Sequence, residues 1–205
     1  MILLVLENKL HLTNPADLAR AEECISKQNA VELFETGHLD ELIPGTVEAL
    51  AEIHRCLFSE IYAFAGKIRT VNLAKGNFRF APVLYLEAAL TAIEAMPQST
   101  FDEIIEKYVE MNIAHPFREG NGRSSRIWLD LMLKKELGQV VDWTRVDQED
   151  YLLAMERSPI KDLEIKQLLA AALTGEVNSR TVYQNGIDRS YEYEGFSFCR
   201  AAELG

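Results

Sequence analysis

Apolar residues return every three or four positions along most of this chain, and each run ends at glycine or proline. That period is the mark of amphipathic helices packing on one another. Asn14-Pro15 reads as an N-cap followed by proline at the first helical position. The helix it opens carries Leu18, Ala21, Ile25 and Val31 and stops at Gly37. Thr46 caps a second run, in which Val47, Leu50, Ile53, Leu57, Ile61 and Phe64 lead to Gly66. A helix over 84–96 stops at Met96-Pro97. Thr100 and Glu103 form a capping box for a helix with Ile104, Ile105, Tyr108 and Met111. It must end near His115, because Pro116 disfavours helical geometry before it. Further helices are expected over 123–137, closed by Gly138, and over 148–157, 161–173 and 176–195, with the last ten residues frayed. Residues 67–82 break the pattern: β-branched and aromatic residues flank Lys75-Gly76-Asn77, a turn signal, so a short hairpin is expected there. The fold class is all-α with one small β-hairpin.

The chain has 205 residues, 48% hydrophobic and 26% charged, which suits one domain able to bury a core without metal or disulfide support. Its formal charge of −11 argues against nucleic acid or an anionic membrane as a bulk partner. A small polyphosphate would then need a local positive cluster. Cys24, Cys56 and Cys199 show no zinc or redox spacing, so free thiols in a reducing compartment are expected. The opening MILLVL is too short for a signal peptide or a membrane span, which reads as a cytoplasmic protein.

The positive cluster lies between two of the helices. Gly120, Asn121 and Gly122 directly precede a helix start, where glycine freedom and the free N–H groups of the first turn make an anion cradle. Arg123 and Arg126, three apart, face the same anion. Glu119 beside them is best explained as a Mg²⁺ ligand, since Mg²⁺ takes one or two carboxylates plus phosphate oxygens. His115 ends the preceding helix and titrates in the range needed to take a proton from a hydroxyl. Phe117 anchors the loop to the core. His11, His38 and His54 read as structural, His54 on the apolar face of its helix. No GxGxxG or HExxH is present, so dinucleotide and zinc-protease readings lack support.

His115-Pro116-Phe117-Arg118-Glu119-Gly120-Asn121-Gly122-Arg123, with Arg126, resembles the signature of the Fic family at every constrained position. The similarity continues through IHRCLFSEIYAFAGKIRTVN and KGNFRFAP and covers roughly residues 40–175. The resemblance implies a Fic-type helical bundle with a hairpin flap. It implies protein adenylyl transfer, with AMP moved from ATP-Mg to a Tyr, Ser or Thr hydroxyl of a target protein. His115 would be the general base and Glu119 the Mg²⁺ ligand. Gly120, Asn121 and Gly122 would form the anion hole, with Arg123 on the inner phosphates and Arg126 on the γ-phosphate. Asn112 and Lys75 are weaker nucleotide-site candidates. The flap, Lys75, Gly76, Asn77, Phe78, Arg79 and Phe80, would align the target by backbone pairing.

Three other functions compete for the same residues. A phosphotransferase of the same fold commonly carries Lys where this chain has Gly122. An inactive Fic-fold binding module would have lost the base or the metal ligand. A nucleic-acid binder would carry a basic stripe.

Ser190-Tyr191-Glu192-Tyr193-Glu194-Gly195 resembles the Fic inhibitory pattern of Ser or Thr, three residues, Glu, then Gly or Asn. It follows the core helices, as in the single-domain class III subgroup. The chain thus divides into an N-terminal helix (14–39), a Fic core (40–175), an inhibitory helix (176–195) and a tail (196–205). Glu194 is expected to pair with Arg126 and block the γ-phosphate. The resemblance further implies a homo-oligomer that clamps this helix, automodification at Tyr191 or Tyr193 that releases it, and a bacterial type II topoisomerase as a target class.

Overall fold

The computed structural model describes residues 5–75, 78–195 and 197–204, with the side chains of Lys75 and Phe78 left aside. Helix α1 (Pro15–Glu35) begins where the Asn14 side chain accepts from the Ala16 amide at 2.8 Å, with proline at N1. A short α2 (His38–Glu41) follows the αL glycine Gly37. Helix α3 (Val47–Phe58) buries Leu50, Ile53, Leu57 and Phe58 on the face its periodicity selects. The hairpin pairs β1 (Ala74–Lys75) with β2 (Phe78–Arg79) antiparallel, Ala74 opposite Arg79. Helix α4 (Val83–Glu94) returns to the body.

Helix α5 (Phe101–Ala114) starts at the expected capping box of Thr100 and Glu103. Helix α6 (Asn121–Leu137) is the central strut: Ile127, Trp128, Leu129, Leu131, Met132 and Leu133 are all buried. It packs against α5 on one side and α3 on another, while α1 packs on α3. Gly138 in the αL conformation ends it. Helices α7 (Gln148–Arg157), α8 (Leu163–Ala170) and α9 (Arg180–Glu192) complete the bundle. Among the described residues no helix is long and apolar enough to cross a membrane.

Three expectations are corrected. The run over 161–173 is helical only to Ala170, because β3 (Val140–Val141) pairs with β4 (Leu173–Thr174), a second small sheet that helical periodicity cannot signal. Asp130 of α6 supports it by accepting from the Val141 amide at 2.9 Å and the Trp143 indole at 2.8 Å. The C-terminal tail does not fray. Its Phe198 and Cys199 amides donate to Glu23 of α1, and Ala201 is fully buried. Nor are all three thiols free: Cys24 and Cys199 form a disulfide with their Cα atoms 5.5 Å apart, and Cys56 is free.

Candidate active site

The loop between α5 and α6 is held from four directions. Pro116 keeps His115 out of the helix, and His115 caps α5 in the αL region at φ 50°. Arg69, nearly fully buried, fixes this corner. Its guanidinium donates to the carbonyls of His115 (2.7 Å), Ala114 (3.1 Å), Val71 (2.7 Å) and Ala81 (2.5 Å), and its amide donates to Pro116 O at 2.8 Å. One side chain thereby ties the base of the flap to the loop.

His54 of α3 holds the far end. Its Nε2 donates to the Glu119 carbonyl at 2.8 Å, and its Nδ1 accepts from the Gly66 amide at 2.9 Å. The ring stacks on Phe117 with centroids 3.9 Å apart. Burial pushes its pKa down to about 4, so it stays neutral and can serve both partners. Asn121 closes the loop on itself, accepting from Phe117 N and donating to Phe117 O, both at 2.8 Å. Its side chain therefore shapes the cradle rather than facing an anion. Gly120 precedes α6 at φ 75°, where a Cβ would lie 2.5 Å from the Phe58 ring. Helix α6 starts at Asn121, two residues earlier than its periodicity suggests, which places the amides of residues 121–123 in its first turn.

Arg123 and Arg126 rise from that turn, both buried. Arg123 pairs with Glu22 of α1, with Glu119 at 3.0 Å and with Glu194 at 3.1 Å. Glu22 also accepts from the Tyr62 hydroxyl. Arg126 donates to Ser190 Oγ at 2.6 Å, Ser190 O at 2.9 Å and Glu194 Oε1 at 3.2 Å, with the Tyr151 hydroxyl 3.4 Å away. The surrounding carboxylates hold the Arg123 pKa well above its usual value against the cost of burial. Burial pushes the Glu119 carboxyl up, although Arg123 opposes this. Among the described residues, the three-donor group close enough to share a metal ion is His38, Glu52 and Cys56, which does not include Glu119. Glu119 alone still fits Mg²⁺, which keeps much of its shell as water and phosphate oxygen.

A cleft of about 490 Å³ opens above the loop. His115, Gly122, Arg126 and Glu194 line one end, and Val109, Ile113, Leu152 and Met155 give it an apolar wall. Phe80 lies in it, stacked on the His115 imidazole at 3.6 Å between centroids. Asn112 also lines it. Arg79 is exposed on the flap. Gly76 and Asn77 lie outside the described residues, as do the side chains of Lys75 and Phe78.

Helix α9 carries Ser190, Glu194 follows its end, and Gly195 turns the chain at φ 87°. Both Tyr191 and Tyr193 are buried, with their hydroxyls donating to Ser26 Oγ at 2.5 Å and Val146 O at 2.9 Å. Modification at either hydroxyl would require this region to open first.

The sequence motif supplied the contiguous loop. It did not supply Glu22, Arg69, Tyr151 or the apolar wall, which are remote in the chain. The apolar-face position of His54 signalled burial but not its grip on Glu119.

The domain is thus a helical body with a two-stranded flap and a loop that leads into a helix N-terminus carrying two buried arginines. Residues 44–133 match the Fic/DOC family. That match covers 90 of the 205 residues. It is 28% identical to the protein adenylyltransferase VbhT of Bartonella schoenbuchensis over 94% of this chain, but it spans only 44% of VbhT. It is 29% identical over 78% of its length to y4lH of Sinorhizobium fredii, described as a probable protein adenylyltransferase, and covers 85% of that protein. The N-terminal Fic domain of a VirB-translocated Bep effector protein from Bartonella quintana, solved with bound ADP, superposes with a TM-score of 0.69. That likeness covers 83% of this chain and 91% of the other at 21% identity, a likeness of fold.

Proposed function

We propose that this chain is a protein adenylyltransferase that moves AMP from ATP to a hydroxyl side chain of another protein. One observation carries the reading: the His115 imidazole, the N-terminus of α6 and the Arg126 guanidinium converge on a single cleft. The adenosine would lie along the apolar wall and the polyphosphate over the first turn of α6. His115 takes the proton from the target hydroxyl. The oxygen attacks the α-phosphorus, the bond to the bridging oxygen breaks, and pyrophosphate leaves. Arg123 and the amides of residues 120–122 would stabilise charge on the inner phosphates, and Arg126 would orient the γ-phosphate. Glu119 would hold Mg²⁺, which supplies charge neutralisation at the phosphates when bound. The flap, with Lys75 and Phe78 on its strands, would take the target segment as an added strand. Lys75 and Asn112 remain candidates for contact with the nucleotide.

We read the described arrangement as an inhibited one. Glu194 occupies the arginines that the phosphates need, and its carboxylate would repel the γ-phosphate. Gly122 fits this as well as catalysis: a Cβ there would lie 2.8 Å from Glu194 Oε1. It also leaves the loop backbone open to the β-phosphate, which favours adenylyl over phosphoryl transfer.

The test is incubation with ATP and Mg²⁺ in a bacterial lysate, followed by mass spectrometry of modified proteins. Adenylyl transfer adds about 329 Da to the target and phosphoryl transfer about 80 Da, by mass balance at the hydroxyl. A type II topoisomerase subunit is the first target to examine.

A further inference from the structure

The segment after α9 is fastened to α1 by a dense set of contacts. The Glu23 carboxylate accepts from the amides of Phe198 at 2.9 Å and Cys199 at 3.2 Å. The Lys27 ammonium donates to the Cys199 carbonyl at 2.6 Å and pairs with Glu23 at 2.9 Å and with Asp188 of α9 at 2.8 Å. Asp188 in turn accepts from the Ala201 amide at 3.0 Å. The Cys24–Cys199 disulfide closes the set covalently. Residues 197–204 therefore form a strap joining α1 to α9, the helix that positions Ser190 and Glu194 on the arginines.

Most of these contacts are hydrogen bonds and ion pairs, which water can replace once the strap lifts. The covalent link acts differently. It keeps the strap beside α1 after the polar contacts open, so that α9 rebinds at a high effective concentration. The strap packs mainly on α1 and α9, with Ala201 joining the core, so the disulfide adds a covalent tie to contacts that already seat it. Cys199 is half-buried and borders an open cleft of about 320 Å³, with Ser197, Arg200 and Asp188 around it, the side from which a small dithiol would approach.

We propose that Cys24 and Cys199 form a reversible thiol–disulfide site that sets how tightly α9 is held on Arg123 and Arg126. The proposal rests on the inhibitory reading of Glu194. In reduction, a thiolate of a dithiol attacks Cys199 Sγ, and Cys24 leaves as a thiolate that takes up a proton. The second thiol of the reductant then displaces Cys199 from the mixed disulfide. The protein gains two electrons and two protons, and the reductant becomes a disulfide. With the link open, the strap and α9 depart together more often and ATP gains the arginines. Oxidation by a disulfide of the same class reverses each step.

The experiment compares wild type, the double variant Cys24→Ser with Cys199→Ser, and Glu194→Gly, each incubated with an oxidised or a reduced dithiol. Alkylation and intact mass count the thiols, and transfer of labelled AMP is timed after the reagent is removed. Oxidised wild type should expose one alkylatable thiol, Cys56, and reduced wild type three. Reduced wild type and the double variant should transfer on the order of tenfold faster than oxidised wild type, one decade in the opening equilibrium. Glu194→Gly should be fast in both states. Three thiols under oxidant, or equal rates for oxidised and reduced wild type beside a fast Glu194→Gly, would overturn the redox proposal and leave the inhibitory reading standing. If Glu194→Gly is no faster than oxidised wild type, the inhibitory reading fails and the proposal fails with it. A redox response that persists in Glu194→Gly would overturn the coupling through α9.

Discussion

The Phe80 ring lies flat against the His115 imidazole, with 3.6 Å between centroids and 16° between planes. Phe80 follows directly on β2, so the flap touches the proposed base. Replacing Phe80 by Ala should lower the rate of transfer about tenfold or more while ATP affinity stays within about threefold, because positioning is worth most at the reacting groups. Titration calorimetry with ATP and timed label transfer separate the two effects. A fall in ATP affinity as large as the fall in rate would place Phe80 in nucleotide binding instead.

His115 makes the sharper case. His115→Ala should cost about 10²–10⁴ in transfer rate, the usual range for a general base. ATP affinity, measured by calorimetry, should be largely unchanged. Turnover near that of the wild type would remove His115 from the role.

Ser190 and Glu194 share the task of holding Arg126, but unequally. Ser190→Ala deletes the Oγ acceptor at 2.6 Å and leaves both the Ser190 carbonyl and the Glu194 pair in place. It should activate transfer less than Glu194→Gly, which takes the carboxylate away from Arg123 as well as Arg126. Loss of a charge-assisted bond at this depth is worth about 1.5–3 kcal/mol, so activation by Ser190→Ala alone should lie between about tenfold and a hundredfold. Rates of automodification and of lysate labelling give the order of the two variants.

His54 predicts a pH dependence of stability. Its folded pKa lies at about 4, below the ordinary value of 6.5, so the unfolded chain takes up the proton first as pH falls. The stability His54 contributes is complete above pH 6.5 and is lost progressively toward pH 4, up to roughly 3 kcal/mol at about 1.4 kcal/mol per unit. Denaturant melts across that range should show a steeper fall for wild type than for His54→Gln, which has no proton to gain. Parallel slopes would mean that His54 is not buried neutral.

The loop was legible in the sequence because its parts are adjacent. Pro116, the glycines and the two arginines act through local backbone geometry, and local geometry is what spacing encodes. Helix boundaries set by caps, such as Asn14-Pro15, Thr100 with Glu103, and Gly138, were legible for the same reason. Glu22 and Arg69 were not, since nothing local distinguishes a carboxylate of α1 that will meet Arg123 from one that faces water. The pairing of β3 with β4 and of Cys24 with Cys199 likewise depends on chain closure over long separations. Chain termini commonly fray, yet Glu23 and Asp188 give the amides of this tail acceptors.

The central claim is adenylyl transfer from a cleft that α9 keeps closed. Glu194→Gly, incubated with ATP and Mg²⁺ and examined by intact mass spectrometry together with a responsive lysate, tests it most directly. The account predicts adducts of about 329 Da, absent when His115 is also replaced by Ala and far weaker in the wild type. Adducts of about 80 Da, or no adduct from a folded Glu194→Gly protein that binds ATP, would contradict it.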